Sequence, residues 1–126
     1  MLFRSVRFIG ETLGLQSHQL LPSLQVLQAS SAQRRLLSSD LSAGEAFEAL
    51  RGRLAQGGDE LVLLEAAGSL SEGLLYGLSL VQMAQTLQAP VVLVHGWSDC
   101  RSVDPLLDAR QQLGDLLAGE IGRAHV

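Results

Sequence analysis

The sequence predicts an α/β protein built on a parallel sheet, and two apolar runs joined by a helix carry this prediction. Residues 60–65 (ELVLLE) and 91–94 (VVLV) are almost wholly apolar, and residues 79–88 between them have helical spacing. Unbroken apolar runs are typical of strands buried on both faces of a parallel sheet. A strand, a helix and a second strand at this spacing indicate a parallel crossover unit. We therefore expect an incomplete three-layer parallel sheet with flanking helices.

The composition limits the size, location and partners of the protein. The 126 residues suffice for one modest domain, and a hydrophobic content of 47% with only 4% aromatic residues predicts a core of Leu, Val and Ala. A net charge of −4 does not favour a nucleic-acid surface. The single cysteine, Cys100, excludes an intrachain disulfide framework and is typical of a reducing compartment. No run is long enough to span a bilayer, so we expect a cytoplasmic protein without a membrane partner.

The remaining segments are mostly predicted as helices. Residues 6–13 resemble a short helix that ends at Gly14, and Ser42 with Glu45 forms the sequence pattern of a capping box before a second helix. A last amphipathic helix is predicted over 103–117. Residues 23–27 alternate weakly, as in an edge strand or an extended linker, and residues 28–41 carry little signal.

Glu65 is the first candidate for chemistry, because it closes the first apolar run. Ligands of open α/β sheets gather beyond the carboxyl ends of the strands. A carboxylate there suits Mg²⁺, which prefers hard oxygen ligands and retains several waters, although Glu65 can equally cap the next loop. In that loop Gly68 and Ser69 can offer backbone N–H groups to an anion or serve only as a turn. Glu72 and Gly73 are weaker candidates for ligand contact.

The loop after the second run holds further polar residues. His95 lies where a ligand can reach it, but no Ser, Cys or Asp stands at a recognisable catalytic spacing from it. Asp99 and Cys100 share this loop, and Cys100 has no second thiol or histidine cluster with which to bind a metal. Trp97 suits packing better than ligand stacking. The pair of arginines at 34–35 is expected on a solvated face.

Both ends of the sequence resemble translated sequencing adapters. Residues 1–5 (MLFRS) and 120–126 (EIGRAHV) resemble the translation of a common short-read sequencing adapter read from opposite ends. Segments that do not come from the natural gene give no information on fold or function. We expect the natural sequence to cover roughly residues 6–119 and to be an internal part of a longer gene.

Several segments together resemble a known family: 6–9 (VRFI), 11–13 (ETL), 61–65 (LVLLE), 89–94 (APVVLV), 102–104 (SVD) and 109–115 (ARQQLGD). They are similar to the dethiobiotin-synthetase-like domain at the N-terminus of phosphotransacetylase-family proteins, notably of cyanobacterial type. The resemblance implies a P-loop NTPase-like fold, with ATP and Mg²⁺ bound in the intact parent and Glu65 as a Mg²⁺ ligand. The family's phosphate-binding loop, G-x-x-x-x-G-K-[ST], does not occur in this sequence. The family usually has Gly after the acid, whereas Ala66 stands here and its methyl group crowds the approach of phosphate.

These observations lead us to expect part of an ATP- and Mg²⁺-dependent type of domain, with a regulatory role in a phosphotransacetylase-family protein and no activity on its own. The alternative is part of an ATP-dependent ligase of the dethiobiotin or cobyrinate a,c-diamide synthetase type. A weaker alternative is a flavodoxin-like domain without a nucleotide role. The expected partner is a nucleotide or small metabolite, and self-association of the parent into a homo-oligomer stays open.

Overall fold

The sequence folds into helices and a small parallel sheet, as the α/β prediction requires. The computed structural model describes residues 4–21, 23–24, 28–39, 44–56, 58, 61–66 and 68–124. The elements in these residues are α1 (Arg4–Leu13), α2 (Ala29–Ser38), α3 (Glu45–Gln56), α4 (Leu80–Leu87), β1 (Val91–Trp97), α5 (Val103–Leu113) and β2 (Leu117–Ala124). The chain divides into two compact units, Met1–Glu65 and Ala66–Val126.

In the first unit, α1 covers Arg4–Leu13. Its end before Gly14 agrees with the sequence prediction, whereas its start lies two residues before the predicted residue 6, within the segment expected to be artificial. Gly14 has a φ of 65°, and the N–H of Leu15 donates to the carbonyl of Gly10 at 2.8 Å. This hydrogen bond closes the helix in the manner of a Schellman motif, which favours glycine at the left-handed position. Gly10 is buried, and a Cβ atom there would lie 2.7 Å from the Leu20 side chain. The missing side chain therefore allows Leu20 to pack closely on α1.

The same unit contains α2 and α3. Residues 28–41 carried little sequence signal, yet α2 occupies Ala29–Ser38, because its Ala, Gln, Arg and Leu residues have high helix propensity. The predicted helix after residue 42 is α3, although Ser42 of the proposed capping box lies outside the described residues. Phe47 and Leu50, one turn apart on α3, are buried with exposed fractions of 2% and 4%.

In the second unit, α4 is fixed by a capping box at its start. The Ser79 hydroxyl accepts from the N–H of Gln82 at 3.2 Å, and the Gln82 side-chain oxygen accepts from the N–H of Ser79 at 3.1 Å. Each hydrogen bond satisfies a donor that a helix start leaves unpaired. Gln88 ends the helix in a left-handed conformation with φ 51°. The helix predicted over 79–88 is thus confirmed.

The sheet consists of β1 and β2, which pair in parallel. Helix α5 connects them, which is the usual way for two neighbouring parallel strands to be joined. The register is continuous from Val92 opposite Gly119 to Trp97 opposite Ala124, with an irregularity between Val91 and Val92 that leaves Ala118 as an extra residue on β2. Residues 117 and 120–124, which we expected in a helix and in an artificial tail, form most of this second strand.

The core of the second unit lies between the sheet and its two long helices. Ala84 of α4, Val91 of β1 and Leu113 of α5 form a buried cluster with exposed fractions of 3%, 7% and 4%. Partly buried apolar side chains surround this cluster, namely Leu70, Leu80, Val81, Leu116 and Leu117. The aliphatic character of these residues agrees with the core composition predicted from the sequence.

Two parts of the sheet prediction are wrong. The described residues 61–65 form no strand, because no other strand of the described chain pairs with them; Leu61 and Leu63 are 77% and 68% exposed. The run at 91–94 is a strand, but Val92 and Val94 are 57% and 64% exposed. Within the described part of the second unit, the helices cover one face of this sheet. An apolar run can be buried on both faces of a sheet. Whether a second layer covers the other face depends on distant parts of the chain, which the run itself does not predict.

No helix in the described ranges combines the length and apolarity that a membrane crossing needs.

Candidate functional site

The described structure has an open cavity of about 260 Å³ where β1 ends and α5 begins. Its lining is polar apart from one proline and one glycine, and comprises His95, Gly96, Ser98, Asp99, Arg101, Ser102 and Pro105. The carboxyl ends of parallel strands are the usual ligand-binding edge of an open α/β sheet. In the sequence, these polar residues follow the apolar run 91–94, so they lie where the strand ends. We refer to this group of seven residues as the β1–α5 cavity.

Ser102 holds the loop of the β1–α5 cavity in shape. It is buried, with an exposed fraction of 6%, and its hydroxyl oxygen accepts from the N–H groups of Ser98 at 3.0 Å and Asp99 at 3.4 Å. The hydroxyl of Ser98 lies 3.3 Å from that of Ser102. These contacts satisfy backbone donors that a tight turn would otherwise leave unpaired. The loop is therefore organised by its own side chains.

Asp99 and Arg101 form an ion pair at the rim of the cavity. The Arg101 guanidinium donates two hydrogen bonds to one carboxylate oxygen of Asp99, at 2.7 and 3.1 Å, while the Arg101 backbone N–H donates to the other at 2.9 Å. These hydrogen bonds, from the side chain first and the backbone second, lower the pKa of Asp99 below its ordinary value of 3.8. The Arg101 side chain remains 86% exposed. Asp99 thus orients a guanidinium that solvent and a ligand can reach.

His95 supplies a second polar atom to the cavity. It lies in β1, two residues before the strand ends, and its Nε2 atom is buried with no hydrogen-bond partner among the described residues. A buried polar atom left unpaired costs about 1–3 kcal/mol, so a water or a ligand atom at this position would be stabilising. The sequence named His95 as a residue that a ligand can reach, and the structure places it against the cavity.

Glu65, the predicted Mg²⁺ ligand, is exposed at the end of the first unit. Its Oε2 atom accepts a hydrogen bond of 2.5 Å from the Ser5 hydroxyl of α1. Within the described residues, no group of three or more His, Cys, Asp or Glu side chains is arranged to hold a metal ion. Mg²⁺ in nucleotide sites needs only one or two carboxylates, because phosphates and waters complete its shell. The metal role of Glu65 stays a prediction.

Gly68 and Ser69, the predicted anion-binding pair, begin the turn that leads to α4 in the second unit. Gly68 has a φ of 41°, and a Cβ atom on it would collide with the Glu72 carboxylate. The backbone carbonyl of Ser69 accepts from the N–H of Glu72 at 3.2 Å. A negative carboxylate therefore already lies beside the backbone that was expected to receive an anion. These residues do not build a phosphate cradle in this conformation, and their binding role stays a prediction.

The other polar candidates are spread over the loop and the helices. Trp97, at the end of β1, is 47% exposed, and Cys100 is an exposed free thiol. Arg34 is exposed on α2, whereas Arg35 is half-buried and has a partner. Sequence reasoning named His95 and Asp99 but missed Arg101 and Ser102. The available signal was the mostly polar segment 98–102 (SDCRS), which directly follows β1.

Comparison with known proteins gives one partial similarity. The chain is 41% identical over 83 residues to the polyketide synthase GfsB of Streptomyces halstedii. The match covers 66% of this chain and only 2% of the length of that synthase. No protein-family profile matches the sequence, and no solved structure matches it significantly.

Proposed function

We propose that this chain is a ligand-binding regulatory domain, similar to the dethiobiotin-synthetase-like domain of phosphotransacetylase-family proteins, and that it does not hydrolyse ATP. Its ligand is a nucleotide or a small metabolite with an anionic group. The observation that carries this proposal is the β1–α5 cavity, a polar cavity at the carboxyl end of a strand in a parallel crossover unit. The segmental resemblance to that family supports the choice of parent protein.

The polar atoms of the cavity suit an anionic group better than an apolar one. Arg101 presents an exposed guanidinium, and charge-assisted hydrogen bonds to carboxylate or phosphate are stronger than those between neutral groups. The Nε2 atom of His95 is buried and lacks a partner among the described residues, so a ligand oxygen can pair with it if that atom is protonated. Asp99 keeps Arg101 in place but also opposes a second negative charge nearby. Moderate affinity, as in a sensor, is the expected consequence.

The residues present do not support ATP hydrolysis by this chain on its own. The phosphate-binding loop that the family uses does not occur in this sequence. Glu65 is a single exposed carboxylate, and the carboxylate of Glu72 lies beside Gly68. This set of residues does not fit a Mg²⁺–ATP site that could support phosphoryl transfer, since that reaction depends on clamping the phosphates with backbone donors and cations.

The likeness to a polyketide synthase does not change this proposal. It involves 2% of that enzyme, which is too small a part to carry over an activity.

Calorimetric titration of the 126-residue protein with ATP, ADP, inorganic phosphate and acetate, with and without Mg²⁺, tests the proposal directly. We expect binding of at least one of these anions and no release of phosphate from ATP above background. The comparison of phosphate with acetate distinguishes a phosphate-bearing ligand from a carboxylate-bearing one. Failure of all four to bind would contradict the ligand-binding role, and Mg²⁺-dependent ATP hydrolysis would contradict the regulatory one.

Two arginine variants locate the binding. Arg101→Met should weaken binding about tenfold or more, because a charge-assisted hydrogen bond contributes about 1.5–3 kcal/mol and each 1.4 kcal/mol is tenfold in affinity. Arg110→Met is the matched control, since Arg110 is also exposed, on α5, but does not line the cavity. Equal effects of both variants would indicate general electrostatic attraction. Glu65→Gln should leave binding unchanged, and a loss of binding in this variant would contradict a site limited to the β1–α5 cavity.

The family placement has its own test, which is to sequence the gene outward from residues 6 and 119. The family resemblance leads us to expect a phosphate-binding loop encoded upstream and an acyltransferase region downstream. A gene that starts at Met1 and stops after Val126 would remove the main support for the phosphotransacetylase parent.

A further inference from the structure

We draw no further inference here: the strongest candidate, the exposed apolar face of the β1–β2 sheet that carries Val92, Val94 and Ile121, carries nothing because nothing in the structure shows what covers it.

Discussion

Two apolar segments of this chain, residues 61–65 and strand β1, differ in what their backbones bond to. The N–H and C=O groups of β1 pair with β2 along seven registered positions, from Val91 to Trp97. Residues 61–65 have no such partner among the described strands, and the side chain of Glu65 bonds instead to Ser5. Backbone polar groups need partners wherever they are buried, so a segment without a ladder stays where water can reach it.

The difference extends to the side chains. In β1, Val91 is 7% exposed and packs with Ala84 and Leu113, whereas Leu61 and Leu63 are 77% and 68% exposed. Hydrophobicity alone therefore did not decide which segment became a strand. Helix α5 connects β1 to β2, which pairs with β1 through backbone hydrogen bonds. Leu113 of α5 also packs against Val91 of β1, so this crossover both pairs and buries the strand.

The largest expected effect is the difference in unfolding free energy between truncating a buried leucine and truncating an exposed one. Leu113→Ala should lower the free energy of unfolding by about 2–5 kcal/mol, because it removes buried methyl groups and leaves a cavity between α5 and β1. Leu63→Ala, the matched control in the unpaired segment, should change it by no more than about 0.5 kcal/mol. Urea unfolding of both variants measures this difference. A cost at Leu63 equal to that at Leu113 would mean that residues 61–65 are packed in solution.

A smaller effect is expected in the turn between the two segments. Gly73 has a φ of 90°, and a Cβ atom there would lie 2.9 Å from the carbonyl oxygen of Leu78. Gly73→Ala should therefore destabilise the protein by about 1–2 kcal/mol, since side-chain-bearing residues are strained in this backbone region. Gly119 in β2 has no positive φ, and a Cβ atom there would meet no described atom within 4 Å, so Gly119→Ala should be neutral or slightly stabilising. Thermal unfolding of the pair gives the sign of each change.

The smallest expected effect concerns the loop that follows β1. The pKa of Asp99 lies below 3.8 in the folded protein because of Arg101, so the ionised carboxylate is favoured by folding. This contribution to stability is present above the unfolded pKa and is lost as the pH falls through the lower folded pKa. Carboxyl NMR titration should show the lowered pKa, and Arg101→Met should return it towards 3.8. An unchanged pKa in that variant would exclude the Asp99–Arg101 pair as its cause.

Sequence patterns predicted the local parts of this fold well. The end of α1 at Gly14, the helix predicted over 79–88 and the strand that starts at Val91 depend on neighbouring residues, and all three are confirmed. Strand pairing depends on distant residues, which explains why the described residues 61–65 are not the predicted strand and why strand β2 was missed. Helix α2 was missed because its many Ser, Gln and Arg residues are also common in loops.

The candidate site was predictable only in part, for a similar reason. His95 and Asp99 stand out because they follow an apolar run that was predicted to be a core strand, whose end a ligand can reach. Arg101 and Ser102 gain their roles from a single turn of 3₁₀ helix over Cys100–Ser102, which brings the Ser102 hydroxyl to the N–H groups of residues 98 and 99. No pattern of residue spacing in the sequence predicts this turn.

Hydrogen–deuterium exchange of the backbone amides, resolved residue by residue, tests the difference between the two segments most directly. We expect the ladder-bonded amides of β1 and β2 to exchange more than about tenfold more slowly than the amides of residues 61–65, because exchange at the former requires the sheet to open. The outward-facing amides of β1 provide an internal reference for exposed strand positions. Equal protection of residues 61–65 and β1 would contradict this difference and would mean that the first segment also belongs to a sheet.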